Sequence, residues 1–177
     1  MRVIAGKHRS RPLAEFKGRD IRPTSDRAKE ALFNILQTKI FGSSFLDLYC
    51  GTGNIGIEAI SRGAEKVIFV DSAKESVALT KSNLAYLKED AKVMLSDAYS
   101  FLAVTDEKFD IIFLDPPYKD DAEEVLKIIA ERNLVASDGV VIYEHKDKYE
   151  KEIEGLAKKS TRTYGIAVFE FYEVSKK

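Results

Sequence analysis

The sequence predicts a doubly wound α/β fold with a mostly parallel sheet, and two observations support this prediction. Short apolar runs alternate along the chain with stretches in which apolar residues recur at helical spacing. Such alternation requires right-handed crossovers and a sheet covered by helices on both faces. The chain also has 177 residues, of which 45% are hydrophobic and 32% charged, so that one domain can bury a substantial core.

Five apolar runs are predicted to be buried strands, and each is short enough for a strand of a parallel sheet. They span residues 44–49, 66–70, 91–95, 109–114 and 139–144. Three of the stretches between them are predicted to be helices because apolar side chains recur there every three or four positions. These side chains are Ile55, Ala59 and Ile60; Val77, Leu79, Leu84 and Leu87; and Val125, Ile128 and Ile129.

The carboxyl-terminal end departs from the alternation. After a helix predicted near residues 147–159, two extended runs, 160–164 and 166–174, meet at Gly165. Too few residues separate these runs for a crossover helix, so we predict an antiparallel hairpin.

The amino-terminal end is predicted to contain an irregular segment followed by a helix. Thr24 or Ser25 is expected to cap this helix, whose apolar stripe consists of Ala28, Leu32, Ile35 and Leu36. We therefore interpret residues 1–177 as a single domain. Residues 1–43 form an amino-terminal arm and helix, and residues 44–177 form the core of the domain.

Charge is distributed unevenly along the chain. The net charge is -1, yet residues 1–30 contain nine basic and four acidic side chains. A basic arm on an acidic body is typical of a protein that binds a polyanion, because each phosphate contact releases counterions. A terminus that is merely solvated has the same composition, and charge alone does not separate these interpretations.

Several classes of protein are excluded by composition. The single cysteine, Cys50, cannot form an internal disulfide, and the two histidines, His8 and His145, are too far apart for a metal cluster. No apolar run approaches the length of a membrane span, and residues 1–7 lack the apolar core of a signal peptide. We therefore expect a soluble, cytoplasmic protein without a metal. Cys50 is interpreted as a small buried residue rather than a nucleophile.

A glycine-rich turn predicts a nucleoside site. Residues 51–56 read Gly-Thr-Gly-Asn-Ile-Gly between the first predicted strand and a helix, and Asp71 ends the second predicted strand. Glycines allow the backbone to approach a ligand closely, and a carboxylate at the second strand end can accept hydrogen bonds from ribose hydroxyls.

Two further carboxylates indicate which nucleoside is bound. Asp47 lies inside the first strand, where its charge would repel the phosphates of a dinucleotide but attract a cationic sulfonium or amino group. Asp97, between Ser96 and Ala98, could accept a hydrogen bond from an adenine amine. This pattern favours S-adenosylmethionine over NAD. Asp47 could instead be a capping carboxylate, and Asp97 could instead cap the next helix.

The sequence Asp115-Pro116-Pro117-Tyr118 follows the fourth predicted strand and predicts a reaction site. The Asp115 carboxylate and the Pro116 carbonyl could accept both N–H groups of an exocyclic amine and direct its lone pair at a methyl donor. Tyr118 could stack on a base lifted out of its helix. Alternatively, the prolines only end the strand and Tyr118 is a core aromatic.

These segments together resemble a known superfamily. Residues 46–53, Asp71, residues 96–98 and residues 115–118 are similar to the class I methyltransferases that use S-adenosylmethionine to modify exocyclic amines. Residues 2–7, 11–13 and 22–27 narrow the resemblance to the RsmD family, the bacterial guanine-N2 methyltransferases of small-subunit ribosomal RNA. Tyr49 stands where the general pattern has glycine, although an aromatic residue there is usual among the relatives that methylate RNA.

The resemblance implies a Rossmann-like sheet of seven strands with the last strand antiparallel, and methylation of one guanine N2 in 16S ribosomal RNA. It further implies action on an assembled or partly assembled small subunit, and we expect the protein to be a monomer. The implied cofactor residues are Asp47, Tyr49, Gly51, Thr52, Gly53, Asp71, Ser72, Asp97 and Ala98. The implied catalytic residues are Asp115, Pro116, Pro117 and Tyr118. The RNA-binding residues are expected to be Arg2, Lys7, Arg9, Arg11, Arg22, Thr24 and Arg27.

Other functions remain open at the level of sequence. A DNA or RNA adenine-N6 methyltransferase, or an enzyme that methylates a glutamine amide, would share the amine-binding motif. The glutamine-modifying relatives carry Asn where this chain has Asp115. An RNA-binding protein of ribosome assembly could retain the pocket without catalysis.

Overall fold

The computed structural model describes residues 1–18, 23–117, 119–120, 122–147 and 149–176. Within these ranges the chain forms five helices and seven strands. The helices are α1 (Asp26–Ile35), α2 (Asn54–Ser61), α3 (Lys74–Tyr86), α4 (Ala98–Val104) and α5 (Ala122–Glu131). The strands are β1 (Ser44–Leu48), β2 (Lys66–Asp71), β3 (Lys92–Leu95), β4 (Phe109–Leu114), β5 (Val135–His145), β6 (Leu156–Tyr164) and β7 (Ala167–Val174).

All seven strands belong to one sheet in the order β3-β2-β1-β4-β5-β7-β6. The first five strands pair in parallel, whereas β7 pairs antiparallel with both β5 and β6. This topology confirms the predicted doubly wound sheet with its antiparallel last strand. The strand order reverses between β1 and β4, and ligands of open α/β sheets bind at the carboxyl ends of strands beside such a reversal.

Helices cover both faces of the sheet, as predicted. On one face α1, α2 and α3 pack on the sheet together with residues from the arm, and Val3 and Phe33 are completely buried there. On the other face α4 and α5 contribute buried residues such as Leu102 and Val125. Ser25 caps α1 through a hydrogen bond from the Ala28 N–H to its hydroxyl, which confirms one of the two predicted caps.

The prediction of a helix near residues 147–159 is wrong, because the described residues of that range form no helix. Gly155 has a positive φ of 90°, and β6 begins directly after it at Leu156. Because β6 is an edge strand, most of its side chains face solvent, and its Lys-rich sequence lacks the apolar alternation that marks an inner strand. The strand predicted at residues 139–144 also begins earlier, at Val135, and its pairing with β4 contains a register shift.

The amino-terminal arm is folded against the core. Residues Val3 and Arg11 pair through a backbone hydrogen bond of 2.9 Å, and the N–H groups of Ile4 and Ala5 donate to the Glu58 carboxylate on α2. Lys29, one of the nine basic residues near this end, is completely buried, with Nζ 3.2 Å from Glu58 Oε1. Part of the basic charge of this segment therefore stabilises the fold and is not available to a polyanion.

No helix in the described ranges combines the length and the apolar character needed to cross a membrane.

Candidate active site

A cavity of about 280 Å³ opens at the carboxyl ends of β1 and β4. Its walls come from the glycine turn after β1, from Asp115 after β4 and from the arm, which contributes Glu15, Phe16 and Thr24. A smaller cavity of about 40 Å³ lies at the ends of β2 and β3, and Tyr49 lines both cavities. The sheet thus brings the predicted cofactor residues and the predicted reaction motif to one edge of the molecule.

The turn after β1 contains glycines whose backbone conformation or close packing excludes most other residues. Gly51 and Gly53 have positive φ values of 56° and 83°, and a Cβ atom added at Gly56 would lie 2.3 Å from the ring of Phe69. The absence of a side chain at Gly56 lets α2 pack closely against β2. These positions therefore require glycine for conformation or for space.

Two buried polar residues of α3 hold this turn in place, and the sequence analysis missed both. The Thr80 hydroxyl donates to the Gly51 carbonyl at 2.8 Å, and the Asn83 amide donates to the Thr52 carbonyl at 2.9 Å. Asn83 also exchanges hydrogen bonds with the main chain of Ala14 in the arm. The available sequence signal was the presence of polar residues on the predicted apolar face between Val77 and Leu84.

Asp71 lies at the end of β2, where both of its carboxylate oxygens are fixed by the backbone. Oδ2 accepts from the Gly51 N–H and Oδ1 from the Ala73 N–H, each at 2.9 Å. A carboxylate oxygen has two lone pairs, so each oxygen can accept one further hydrogen bond. The Asp71 carboxylate could therefore accept hydrogen bonds from the two hydroxyls of a diol such as a ribose.

Asp47 is buried beneath the cavity and accepts a hydrogen bond from the Gly56 N–H at 2.9 Å. This hydrogen bond to the first turn of α2 confirms the alternative interpretation, in which Asp47 is a capping carboxylate. Burial, together with the negative charges of Asp71 and Glu144, raises the pKa of Asp47 to about 8 despite this hydrogen bond. A cationic ligand group beside Asp47 would favour its ionised form, which fits the charge expected for a sulfonium or ammonium group.

Asp97 caps α4, as the alternative interpretation proposed. Its carboxylate accepts from the N–H and the hydroxyl of Ser100, each at 2.8 Å, and these hydrogen bonds hold the pKa of Asp97 below its usual value. Asp97 also lines the smaller cavity with Ser72 and Ala98, so the cap does not remove it from the site.

Tyr49 contributes a buried hydroxyl that has no hydrogen-bond partner within the described part of the chain. The residue follows β1 directly and has a positive φ of 60°. An unsatisfied buried hydroxyl costs free energy unless a ligand or water supplies its partner. This orphaned group fits a site that is completed by a polar ligand.

Asp115 stands at the end of β4 and is paired with a residue that the sequence analysis did not select. The Asp115 side chain is hydrogen-bonded to that of Glu144, the penultimate residue of β5. Although Asp115 as a whole is exposed to the crevice, desolvation of its carboxyl group and the adjacent Glu144 raise its pKa well above the usual value. Pro116 is half-buried beside it, and Tyr118 lies outside the described residues.

The predicted RNA-binding residues differ in their availability. Arg2 and Lys7 form ion pairs with Asp26 and Glu89, but both side chains remain more than half exposed. The Arg11 guanidinium lies over the ring of Tyr86, 4.7 Å from its centroid. Arg9 and Arg27 are exposed, Thr24 directs its hydroxyl at Glu144, and Arg22 lies outside the described residues.

Cys50 is buried, as predicted, and burial raises the pKa of its thiol. His145 ends β5 with Nε2 3.3 Å from Glu170 Oε1, on the face of the sheet that carries Tyr143. Within the described ranges, no three His, Cys, Asp or Glu side chains are grouped as metal ligands.

The sheet topology, the glycine turn after β1 and the carboxylates at the ends of β1, β2 and β4 define a Rossmann-like methyltransferase. Residues 1–173 match the model of a family described as "Conserved hypothetical protein 95". The chain belongs to this family, the RsmD family of methyltransferases.

Individual relatives agree with this assignment. The chain is 36% identical to "Ribosomal RNA small subunit methyltransferase D" of Haemophilus influenzae over 98% of this chain and 93% of the relative. The solved structure of yhhF from Escherichia coli superposes with a TM-score of 0.89 at 29% identity and covers 100% of this chain and 99% of that one. A partial match, 38% identical over 59% of this chain and 36% of the relative, is to "Release factor glutamine methyltransferase" of Shewanella oneidensis.

Proposed function

We propose that the protein transfers a methyl group from S-adenosylmethionine to the exocyclic N2 amine of a guanine in 16S ribosomal RNA. The observation that carries this proposal is the position of Asp115, which shares one cavity with Asp47 and with the glycine turn. An amine held at Asp115 would therefore lie beside the methyl donor.

Residues at three strand ends would hold the cofactor. Asp71 would bind the ribose, Asp97 the adenine amine, and Asp47 the cationic methionine end, while residues 51–53 would form the floor of the site. The buried hydroxyl of Tyr49 would find its missing partner in the ligand. When bound, S-adenosylmethionine supplies an electrophilic methyl group on a sulfonium.

The reaction motif would orient the nucleophile. An exocyclic guanine amine is a weak nucleophile because its lone pair is delocalised into the ring. One oxygen of Asp115 and the carbonyl oxygen of Pro116 would accept its two N–H groups and turn the lone pair toward the donor. As the N–C bond forms, the bond between the methyl carbon and the sulfonium would break and a neutral thioether would leave. The negative charge shared near Asp115 and Glu144 would stabilise the positive charge that develops on the nitrogen until the nitrogen releases its extra proton. Catalysis of this kind depends on positioning and electrostatics.

The substrate is proposed from the relatives and from the arm. The Haemophilus influenzae relative, which matches almost the whole chain, is named for the small ribosomal subunit. The exposed cations Arg9, Arg11 and Arg27 would contact RNA phosphates around the site. A small subunit that is at least partly assembled would present the target guanine in a fixed position.

The rival methyltransferases are less well supported. A DNA enzyme requires a region that reads a duplex, whereas residues 1–43 are anchored on the core through buried side chains such as Val3, Leu13 and Phe33. The match to the glutamine methyltransferase covers 59% of this chain, and Asp115 replaces the Asn expected of those enzymes.

The experiment that tests the proposal is labelled methyl transfer to small-subunit RNA by wild-type protein and by Asp115→Ala. We expect the variant to lose transfer by at least about 100-fold, because the amine loses its side-chain acceptor. Its affinity for S-adenosylmethionine, measured by calorimetry, should remain within about threefold of wild type. Mass mapping of the product identifies the methylated base. Wild-type turnover in the variant, or a label on a base other than guanine, would overturn the proposal, and absence of transfer by wild type would favour a non-catalytic binding protein.

A further inference from the structure

A chain of hydrogen bonds connects the amino-terminal segment with the reaction site. Thr24 Oγ1 lies 2.6 Å from Oε1 and 2.9 Å from Oε2 of Glu144. Asp115 and Glu144 directly follow Leu114 and Tyr143, which are paired in the register of β4 and β5, and the side chains of Asp115 and Glu144 are hydrogen-bonded. Because Thr24 and Glu144 are separated by 120 positions in the sequence, only the folded structure creates this link.

The three residues occupy different places around the cavity. Thr24 and Asp115 line it, whereas Glu144 is 7% exposed and stands behind Asp115 on the neighbouring strand. Because Glu144 is buried, it is poorly placed to contact a substrate directly. Its contacts suit a group that fixes the orientation of Asp115.

The electrostatics of this carboxyl pair agree with close contact. Desolvation, the charge of Glu144, the hydrogen bond to Glu144 and the charge of Asp47 all raise the pKa of Asp115. Burial also raises the pKa of Glu144, but the hydrogen bonds from Thr24 and Asp115 oppose this rise. Two carboxyl groups that are buried side by side favour sharing one proton, and a hydrogen bond to Glu144 engages one side of the Asp115 carboxyl group. The other side can then face the amine.

We propose that Glu144 and Thr24 are positioning residues that hold Asp115 with one oxygen turned toward the substrate amine. This inference rests on the proposed function, since it assigns amine binding to Asp115. Thr24 also lies between Arg22 and Arg27, two of the predicted phosphate contacts.

The kinetic test uses Thr24→Val and its conservative counterpart Thr24→Ser. In Thr24→Val, kcat for methylation of small-subunit RNA should fall by about tenfold or more, because misplacement of a reacting group has effects of this size. The dissociation constant of S-adenosylmethionine should stay within about twofold, and Thr24→Ser, which retains the hydroxyl, should restore kcat.

The adjacent residue offers a matched control. Ser25→Ala removes the hydroxyl that caps α1, whereas the hydroxyl that donates to Glu144 belongs to Thr24. We expect a lower melting temperature with wild-type kcat for Ser25→Ala, and a lower kcat for Thr24→Val. A wild-type kcat in Thr24→Val, or an equal loss of kcat in Ser25→Ala, would contradict the positioning role.

A second measurement needs no activity. Without the Thr24 hydroxyl the pKa of Glu144 should rise and that of Asp115 should fall, as followed by carbon NMR of the carboxyl groups and assigned with Asp115→Asn. An unchanged titration of Asp115 in Thr24→Val overturns this inference whether or not the enzyme is active. A wild-type protein that methylates no small-subunit RNA overturns the proposed function instead.

Discussion

The hydroxyl of Tyr49 provides a test of ligand binding at the scale of one atom. Since this buried hydroxyl has no partner in the described ranges, Tyr49→Phe removes a desolvated polar group from the free protein. We expect the free energy of unfolding to be unchanged or to rise by up to about 1 kcal/mol. The affinity for S-adenosylmethionine should fall by about two- to tenfold, because a ligand hydrogen bond of roughly 0.5–1.5 kcal/mol is lost.

Urea unfolding and calorimetry on the same samples measure these two effects. Tyr86→Phe is the matched control, because its hydroxyl accepts from Arg11 on the exposed surface away from the cavities. A Tyr49→Phe variant that loses stability and binds the donor normally would show that the hydroxyl has a structural partner.

The positions of site residues at strand ends could be predicted from the sequence. Asp71 ends β2 and Asp115 directly follows β4, and both strands are recognisable apolar runs. Thr80, Asn83 and Glu144 could not be predicted in the same way. Their polar atoms acquire a role only when α3 and β5 are packed beside the glycine turn and β4, and no local pattern records those contacts.

At the scale of elements, the joint between the arm and α2 depends on the absence of a side chain at Gly6. Gly6 has a positive φ of 85°, and a Cβ atom there would lie 1.9 Å from the Ser61 carbonyl oxygen. The same carbonyl accepts from the Lys7 N–H, so the main chains of the arm and the helix are in direct contact. A side chain at position 6 must therefore separate the two elements.

We expect Gly6→Ala to lower the free energy of unfolding by about 1–3 kcal/mol more than Gly18→Ala. Gly18 is the matched control because it also has a positive φ, of 70°, but a Cβ atom there meets nothing within 4 Å among the described residues. Backbone strain alone should cost about 1–2 kcal/mol or less at each site. Urea unfolding measures the difference, and faster tryptic cleavage after Lys7 and Arg9 would report detachment of the arm. Equal losses in the two variants would contradict the close joint.

The elements also differ in how far the sequence determines them. Inner strands such as β1 and β4 are buried on both faces, so their continuous apolar runs identify them. The edge strand β6 is specified by pairing with β7 and by the turn at Gly155 rather than by its own hydrophobicity. Charged residues on an edge strand discourage pairing with another chain, and the same residues give the segment the composition of a surface helix.

At the scale of the whole molecule, one amino-terminal segment serves both the fold and the proposed RNA contact. Lys29 and Arg2 are engaged with α2 and α1, whereas Arg9 and Arg11 remain exposed on the outer side of the arm. The asymmetry of charge seen in the sequence is therefore smaller at the surface. It is concentrated in a few cations that lie on the same segment as the cavity-lining residues Glu15 and Phe16.

The double variant Arg9→Gln with Arg11→Gln tests whether these exposed cations contact RNA rather than stabilise the fold. Each phosphate contact contributes somewhat less than one unit to the slope of log affinity against log salt, so the slope for RNA binding should decrease by about two units or less. Filter binding across a range of salt concentrations measures the slope. Lys159→Gln with Arg162→Gln, on the far edge strand β6, removes the same charge and should leave the slope unchanged. Equal changes in both double variants would indicate a response to net charge, and an unchanged slope in the first would assign the arm to folding alone.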